Sequence, residues 1–312
     1  MQKAALAAIS GFRASLVVID PKTNEILAIA SNRGEGPLKN IALEQQYEPG
    51  SVMKVLTGMT ALTNGVDVNA LFPYTCGGHL PIDGRQFGDW LPGGHGVLPT
   101  FDQSLAESCN VVFADLGVRL GVDRLQEAHR LAGFDGQASL GLYDVPLGKT
   151  VGRIFNKFET AFYAIGLEHS SITTLHLAML ASMVANRGEV TTPRLLRERR
   201  SILGDVVSKP PKQVRTRVAS AEAAARVATA MRAVVTSPEG TGRRAAVDGV
   251  TLALKTGTAG KEELKYHALI LGFAPLEDPK IAFGVIVESA GSSEYVAAKM
   301  AHDFVSAMRP RL

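Results

Sequence analysis

Three short polar signatures in this chain carry residue types that could do chemistry together. Ser51-Val52-Met53-Lys54 sets a hydroxyl and an amine three residues apart. On a helix those positions lie one turn apart on one face, so the amine can take the hydroxyl proton, and the helix N-terminus favours the negative charge that develops. A lysine that accepts a proton near neutral pH must have its pKa lowered by about 3 from roughly 10.4, which burial beside a second cation can supply. Lys255 is the expected second cation. Ser108-Cys109-Asn110 adds a hydroxyl that could relay a proton between Lys54, Lys255 and a leaving amine, and an amide that could hold Lys54 or a substrate amide. Lys255-Thr256-Gly257-Thr258 closes an apolar run, Val250 to Leu254, and would line the edge of a groove where an extended peptide could pair.

Singly, each signature has an ordinary reading. Ser51 could cap a helix after the Pro49-Gly50 turn and leave Lys54 exposed. Ser108 to Asn110 could be a polar break before Val111-Val112-Phe113, and Lys255 to Thr258 a tight glycine turn between strands.

The elements around them follow from pattern. Ser15–Ile19 and Glu25–Ala30 are apolar and β-branched and flank Asp20-Pro21-Lys22-Thr23-Asn24, which predicts a hairpin. Gly249–Lys255, Tyr266–Phe273 and Lys280–Glu288 are three further strand candidates, the first two separated by a Gly/Lys/Glu segment. Helices are expected over Ser51–Leu62, Phe101–Leu120, Val122–Ala132, Thr174–Asn186 with Gly188 as its C-terminal cap, and Ser293–Met308 with Val296, Met300 and Phe304 on one face. Met1 to Ser10 reads as an amphipathic helix with Leu6 and Ile9 on a shared face. Strands at both chain ends with helices between them imply an antiparallel sheet built from both termini around a helical insertion. Pro73 to Pro99 reads as the longest irregular stretch, and a loop that long usually serves a function.

Composition narrows the class. At 312 residues, 46% hydrophobic and 20% charged, with a net charge of +3, the chain is globular and can bury a substantial core. Arg194, Arg197, Arg199 and Arg200 cluster, but read as a solvated loop, so no nucleic-acid partner is implied. The two cysteines, Cys76 and Cys109, form no CxxC pair, and no metal-ligand spacing joins them to the seven histidines, so neither metal nor cofactor is expected. Whether they form a disulfide is left open by the sequence. No run reaches the roughly 18 to 20 apolar residues that span a bilayer.

Together and in this order, the three signatures resemble the motif set of the penicillin-reactive active-site serine enzymes. The chain resembles the transpeptidase domain of class B penicillin-binding proteins over nearly its whole length. Tyr47-Glu48-Pro49-Gly50-Ser51, Gly94-His95-Gly96 before Ser104-Leu-Ala-Glu-Ser108-Cys109-Asn110, Glu239-Gly240-Thr241-Gly242, and Gly272-Phe273-Ala274-Pro275 after Lys255-Thr256-Gly257-Thr258-Ala259 carry the resemblance. The long interval from Ser108 to Lys255 supports the same choice, because the related class A and class D β-lactamases have a shorter one.

The resemblance implies an α+β fold: a five-stranded antiparallel sheet flanked by helices, plus an all-helical lobe, in one transpeptidase domain over residues 1–312. The sheet part would take about 1–40 and 215–312 and the helical lobe about 41–214, with the family's N-terminal anchor and pedestal domain absent. It implies a peptidoglycan D,D-transpeptidase in which Ser51 attacks the D-Ala-D-Ala carbonyl of a stem peptide, and in which β-lactams acylate Ser51. Lys54 would be the base, Ser108 the relay, Asn110 and Lys255 the organisers. Thr256, Gly257 and Thr258 would bind substrate, with an oxyanion hole from the backbone N–H groups of Ser51 and Thr258. Implied partners are stem peptides, β-lactams as covalent inhibitors, and a cell-wall synthesis complex reached through the N-terminal region, at the extracytoplasmic face of the bacterial inner membrane. A D,D-carboxypeptidase, a β-lactamase or a non-catalytic β-lactam sensor would use the same serine. Where the family usually reads Gly-Gln-Gly and then Thr-Pro, this chain reads Ala164 through Thr174, and Glu168 there offers a carboxylate that could activate a deacylating water.

Overall fold

The computed structural model describes residues 1–33, 40–141, 143–210, 212–260 and 266–312. Residues 34–39 of the expected first sheet segment, and 261–265 of the linker read between two strands, lie outside them. The five-stranded antiparallel sheet runs in the order Ala253–Ala259, His267–Ala274, Ile281–Val287, Ala14–Ile19, Ile26–Asn32. It is therefore assembled from both ends of the chain, and the strand carrying Lys255 to Thr258 is an edge.

Both sheet faces are covered, which is why its central strands are continuous apolar runs rather than alternating ones. Phe283 packs against Phe304 of the last helix, Ala297–Met308, with ring centroids 5.8 Å apart. Its neighbour Gly284 must point the other way, and there a Cβ would lie 2.6 Å from Thr174 O and 2.7 Å from Leu177 Cβ. The helix Thr174–Ala185 is thus pressed onto the sheet at a glycine, and all but its last residue are buried. Such a helix is apolar all round because no side of it meets water. Each of its buried leucines contributes about 1.5–3 kcal/mol.

Several boundaries differ from expectation, each for a local reason. The helix expected over Phe101–Leu120 is two, Phe101–Ala106 and Asn110–Leu120, because Ser108 takes φ +59° between them. The expected strand Gly249–Lys255 lies four residues later, at Ala253–Ala259, so Lys255 to Thr258 sit inside a strand rather than at its end. Ser51 starts no α-helix: Gly50–Met53 is a 3₁₀ turn and the α-helix spans Lys54–Thr63. In the first helix, Gln2–Ala8, Leu6 is exposed, and the buried face is Ala5 with Ile9 just beyond it. The last helix begins at Ala297 rather than Ser293, with Met300 and Phe304 buried. Pro73 to Pro99 is no structureless loop: Tyr74–Cys76 pairs with Gly96–Leu98, and His79–Ile82 with Arg85–Gly88. Within the basic cluster, Arg194 and Arg197 both bind Glu25. No helix of the described residues is long and apolar enough to cross a membrane.

Candidate active site

Four segments converge on one spot. The 3₁₀ turn that carries Ser51 is wedged between the edge strand and the 164–168 loop at positions where only glycine fits. A Cβ on Gly257 would lie 2.9 Å from both Pro49 O and Val52 Cγ1, and one on Gly50 2.8 Å from Thr258 O. From the other side Gly50 N donates to Gly166 O at 2.8 Å, and a Cβ on Gly166 would lie 2.3 Å from Gly50 O. The backbones at 50–52 and 257–258 therefore touch.

Lys54 projects from the first turn of its helix into a fully buried position. Its Nζ donates to Ser108 O at 2.7 Å, Ser108 Oγ at 3.2 Å and Asn110 Oδ1 at 2.6 Å, and it lies 5.9 Å from the Phe113 ring centroid. Ser51 Oγ is not among its hydrogen-bond partners. Lys255, equally buried, donates to the same Ser108 Oγ at 2.9 Å and to Thr256 O at 3.0 Å. One hydroxyl thus bridges two buried amines. Burial lowers the Lys54 pKa to about 8, with the negative charge of Asp89 partly opposing it. Lys255 is lowered well below the ordinary lysine range, first by burial and then by the charge of Lys54. The expected like-charge effect therefore falls on Lys255, while burial alone does most for Lys54.

Of the remaining expected residues, Thr256 Oγ1 is 2.7 Å from Thr241 Oγ1, and Thr258 Oγ1 is 3.0 Å from Ser293 Oγ. Thr258 alone in its strand is exposed, on the open edge. Glu168 lies beside the nucleophile turn with φ +66°, but its carboxylate is 56% exposed and its ion-pair partner is His169 at 3.9 Å.

Behind the Ser108 turn stands a set of residues that the motif reasoning passed over. The left-handed backbone of Ser108 is unfavourable by roughly 1–2 kcal/mol and needs support. Asp89 gives it, with Oδ2 accepting Asn110 N at 2.8 Å and Val111 N at 3.1 Å, while Trp90 Nε1 donates to Ser108 O at 3.1 Å. His95 spans Asp89 Oδ1 at 3.1 Å and Glu107 Oε2 at 2.9 Å. Burial alone would raise the Asp89 carboxyl. Hydrogen bonds from His95 and the backbone N–H groups of Val111 and Leu91 outweigh that and hold it far below the usual carboxylate range. On the third side, Thr241 N donates to Ala106 O at 3.1 Å, which ties the approach to Ser108 to Thr256. Glu48 also acts as a tie, accepting from Gly260 N at 3.3 Å and from Glu168 N. The Gly94-His95-Gly96 and Glu239 to Gly242 segments were the visible signals of these supports; Asp89 and Trp90 had none.

Known proteins resemble this chain over nearly its whole length. Peptidoglycan D,D-transpeptidase MrdA of Acinetobacter baumannii is 30% identical over 353 residues, covering 97% of this chain and 52% of that protein. Stage V sporulation protein D of Bacillus subtilis is 30% identical over 296 residues, covering 88% of this chain and 45% of that protein. The chain spans about half the length of these curated relatives. Among solved structures, the D,D-transpeptidase domain of a peptidoglycan glycosyltransferase from Eggerthella lenta superposes with a TM-score of 0.87 at 27% identity, over 99% of this chain and 81% of that one. The penicillin G acyl-enzyme of penicillin-binding protein A from M. tuberculosis superposes with a TM-score of 0.85 at 25% identity, over 98% and 78%. The profile of the penicillin binding protein transpeptidase domain matches residues 14–306, from the first sheet strand into the last helix, and the chain belongs to that family.

Proposed function

We propose that this chain is the catalytic domain of a peptidoglycan D,D-transpeptidase that works through a Ser51 acyl-enzyme. The observation that carries the reading is the single hydroxyl, Ser108 Oγ, held between two fully buried amines, one of which, Lys54, lies one turn from Ser51. Ser108 O and Asn110 Oδ1 can only accept, so a neutral Lys54 keeps two N–H bonds to them and turns its lone pair toward the hydroxyls. Ser51 Oγ attacks the carbonyl of the penultimate D-alanine of a stem peptide and its proton passes to Lys54. Two backbone N–H groups, of Ser51 and Thr258, receive the oxyanion, each worth about 3 kcal/mol in the transition state. Collapse expels the terminal D-alanine, whose amine takes a proton through Ser108. An amine of a second stem peptide then repeats the sequence in reverse, and the cross-link forms.

Thr258 on the open strand edge binds the substrate carboxylate, with the buried Lys255 and Thr256 behind it and Gly257 keeping that edge against the nucleophile turn. A β-lactam enters the same groove and remains on Ser51. The partners on this reading are stem peptides and, through the full-length protein, a cell-wall synthesis complex at the extracytoplasmic face of the inner membrane. The single transpeptidase domain over 1–312 belongs to the same proposal. The test supplies a stem peptide ending in D-Ala-D-Ala with and without an acceptor amine. The reading expects cross-linked dimer with the acceptor and little hydrolysis without it; release of D-alanine by water alone at an equal rate would replace it with a carboxypeptidase.

A further inference from the structure

Of the four clustered arginines, three have a carboxylate to hold: Arg194 and Arg197 bind Glu25, and Arg200 binds Glu198. Arg199 does not. It lines a cleft of about 420 Å³ together with Ser139, Tyr143, Asp144, Ser208 and Lys209. None of these six side chains makes a hydrogen bond or an ion pair among the described residues. We propose that the cleft is a second binding site, apart from Ser51, for an acidic glycan: a chain of acylated amino sugars that carries free carboxylates.

Two hairpins build the cleft. In one, Gln137–Ser139 pairs with Asp144–Pro146; in the other, Arg199–Arg200 pairs with Val206–Ser208. They are fastened where Leu196 N donates to Leu140 O at 3.3 Å. At the same place a Cβ on Gly141 would lie 3.0 Å from Leu196 Cβ and 3.5 Å from Pro210 Cβ. Directly opposed residues of antiparallel strands project to the same face. Ser139 opposes Asp144 and Arg199 opposes Ser208. One wall therefore presents a hydroxyl with a carboxylate and the other a guanidinium with a hydroxyl, and Lys209 follows at the end of the second.

The lining selects the ligand. Arg199 offers a planar fork that takes a carboxylate through two parallel hydrogen bonds, and Lys209 adds a point charge. Arg199 and Lys209 against Asp144 leave one net positive charge, which matches a single carboxylate. Asp144 would repel a doubly charged phosphate monoester, yet it can accept from sugar hydroxyls or an acetamido N–H, and the two serines can donate or accept. The Tyr143 ring, 50% exposed, gives the C–H face of a pyranose an apolar platform with a hydroxyl at its tip. The volume lies within the about 300–1,000 Å³ of small-molecule sites. The assignment rests on the proposed function for the source of the ligand: the glycan that bears stem peptides, held here where its acid groups are free, would raise the concentration of peptides near Ser51.

The test sediments the chain with insoluble glycan strands stripped of their stem peptides, which frees the sugar-linked carboxylates, and with chitin, an uncharged polymer of N-acetylglucosamine. The proposal expects binding to the stripped glycan at least about tenfold tighter than to chitin, weakening as salt rises. R199Q/K209Q and Y143A should each bind it at least about tenfold more weakly, while benzylpenicillin still acylates them at the native rate, which shows them folded. The penicillin acyl-enzyme should bind the glycan as well as the free chain does, because the cleft shares no lining residue with the Ser51 site. Glycan bound by a chain that fails to cross-link stem peptides would keep the cleft and remove only the proposed reaction. Cross-linking by a chain that ignores the stripped glycan, equal binding by the variants or to chitin, or loss of binding on acylation would overturn the assignment.

Discussion

Gly257→Ala is the sharpest probe of how the nucleophile turn and the edge strand are fitted together. The added methyl would stand 2.9 Å from Pro49 O and 2.9 Å from Val52 Cγ1, with Val52 N at 3.3 Å. Ordinary contact begins near 3.4 Å, so the strand and the turn must part by about half an ångström. Overpacking of this kind costs about 1–3 kcal/mol of stability, which lowers the Tm by only a few degrees in a chain of this size. The catalytic cost is larger, because the shift falls on the two backbone N–H groups proposed to receive the oxyanion, and removing one such donor costs about 10²- to 10³-fold. G257A should therefore acylate with benzylpenicillin at least about 100-fold more slowly, measured as the second-order rate of adduct formation. Gly88→Ala is the control, since nothing lies within 4 Å of its Cβ and its φ is not positive. A G257A protein that stays folded and acylates within about threefold of the native rate would refute the proposed hole.

Two further outcomes follow from buried titrating groups. With Lys54 at about 8 and active as the neutral amine, acylation should climb with pH and level off above 8, and at pH 6 it should be roughly 100-fold below the plateau; a flat profile would contradict Lys54 as the base. His129 and His176 are buried neutral, each lowered to about 4 chiefly by burial. Their stabilisation is complete above the unfolded value near 6.5 and is lost as pH falls toward 4, because the unfolded chain binds those protons first. From pH 6.5 to 5 the two together should remove about 3 kcal/mol, read from urea midpoints, and an unchanged midpoint would show that the sites open at little cost.

The sequence disclosed which residues gather better than the geometry that gathers them. Hairpin and strand patterns at the two ends were legible because fully buried strands are apolar runs, and Ser51, Lys54, Ser108 and Lys255 were legible because their types and order are uncommon together. The sequence did not reveal the break at Ser108, since a serine with φ +59° has no signature of its own and is held there by contacts made from residues 89 and 90. The Lys255 strand was placed four residues early because Val250 and Leu252 are apolar for packing reasons while lying outside the ladder.

The account rests most directly on Ser51 as the acylated residue. Intact mass after mixing with benzylpenicillin, followed over hours beside Ser51→Ala, tests it. The account predicts a persistent adduct of one penicillin per chain that peptide mapping places on Ser51 and that the variant lacks. An adduct that vanishes while penicillin is consumed, or one that persists in Ser51→Ala, would contradict it.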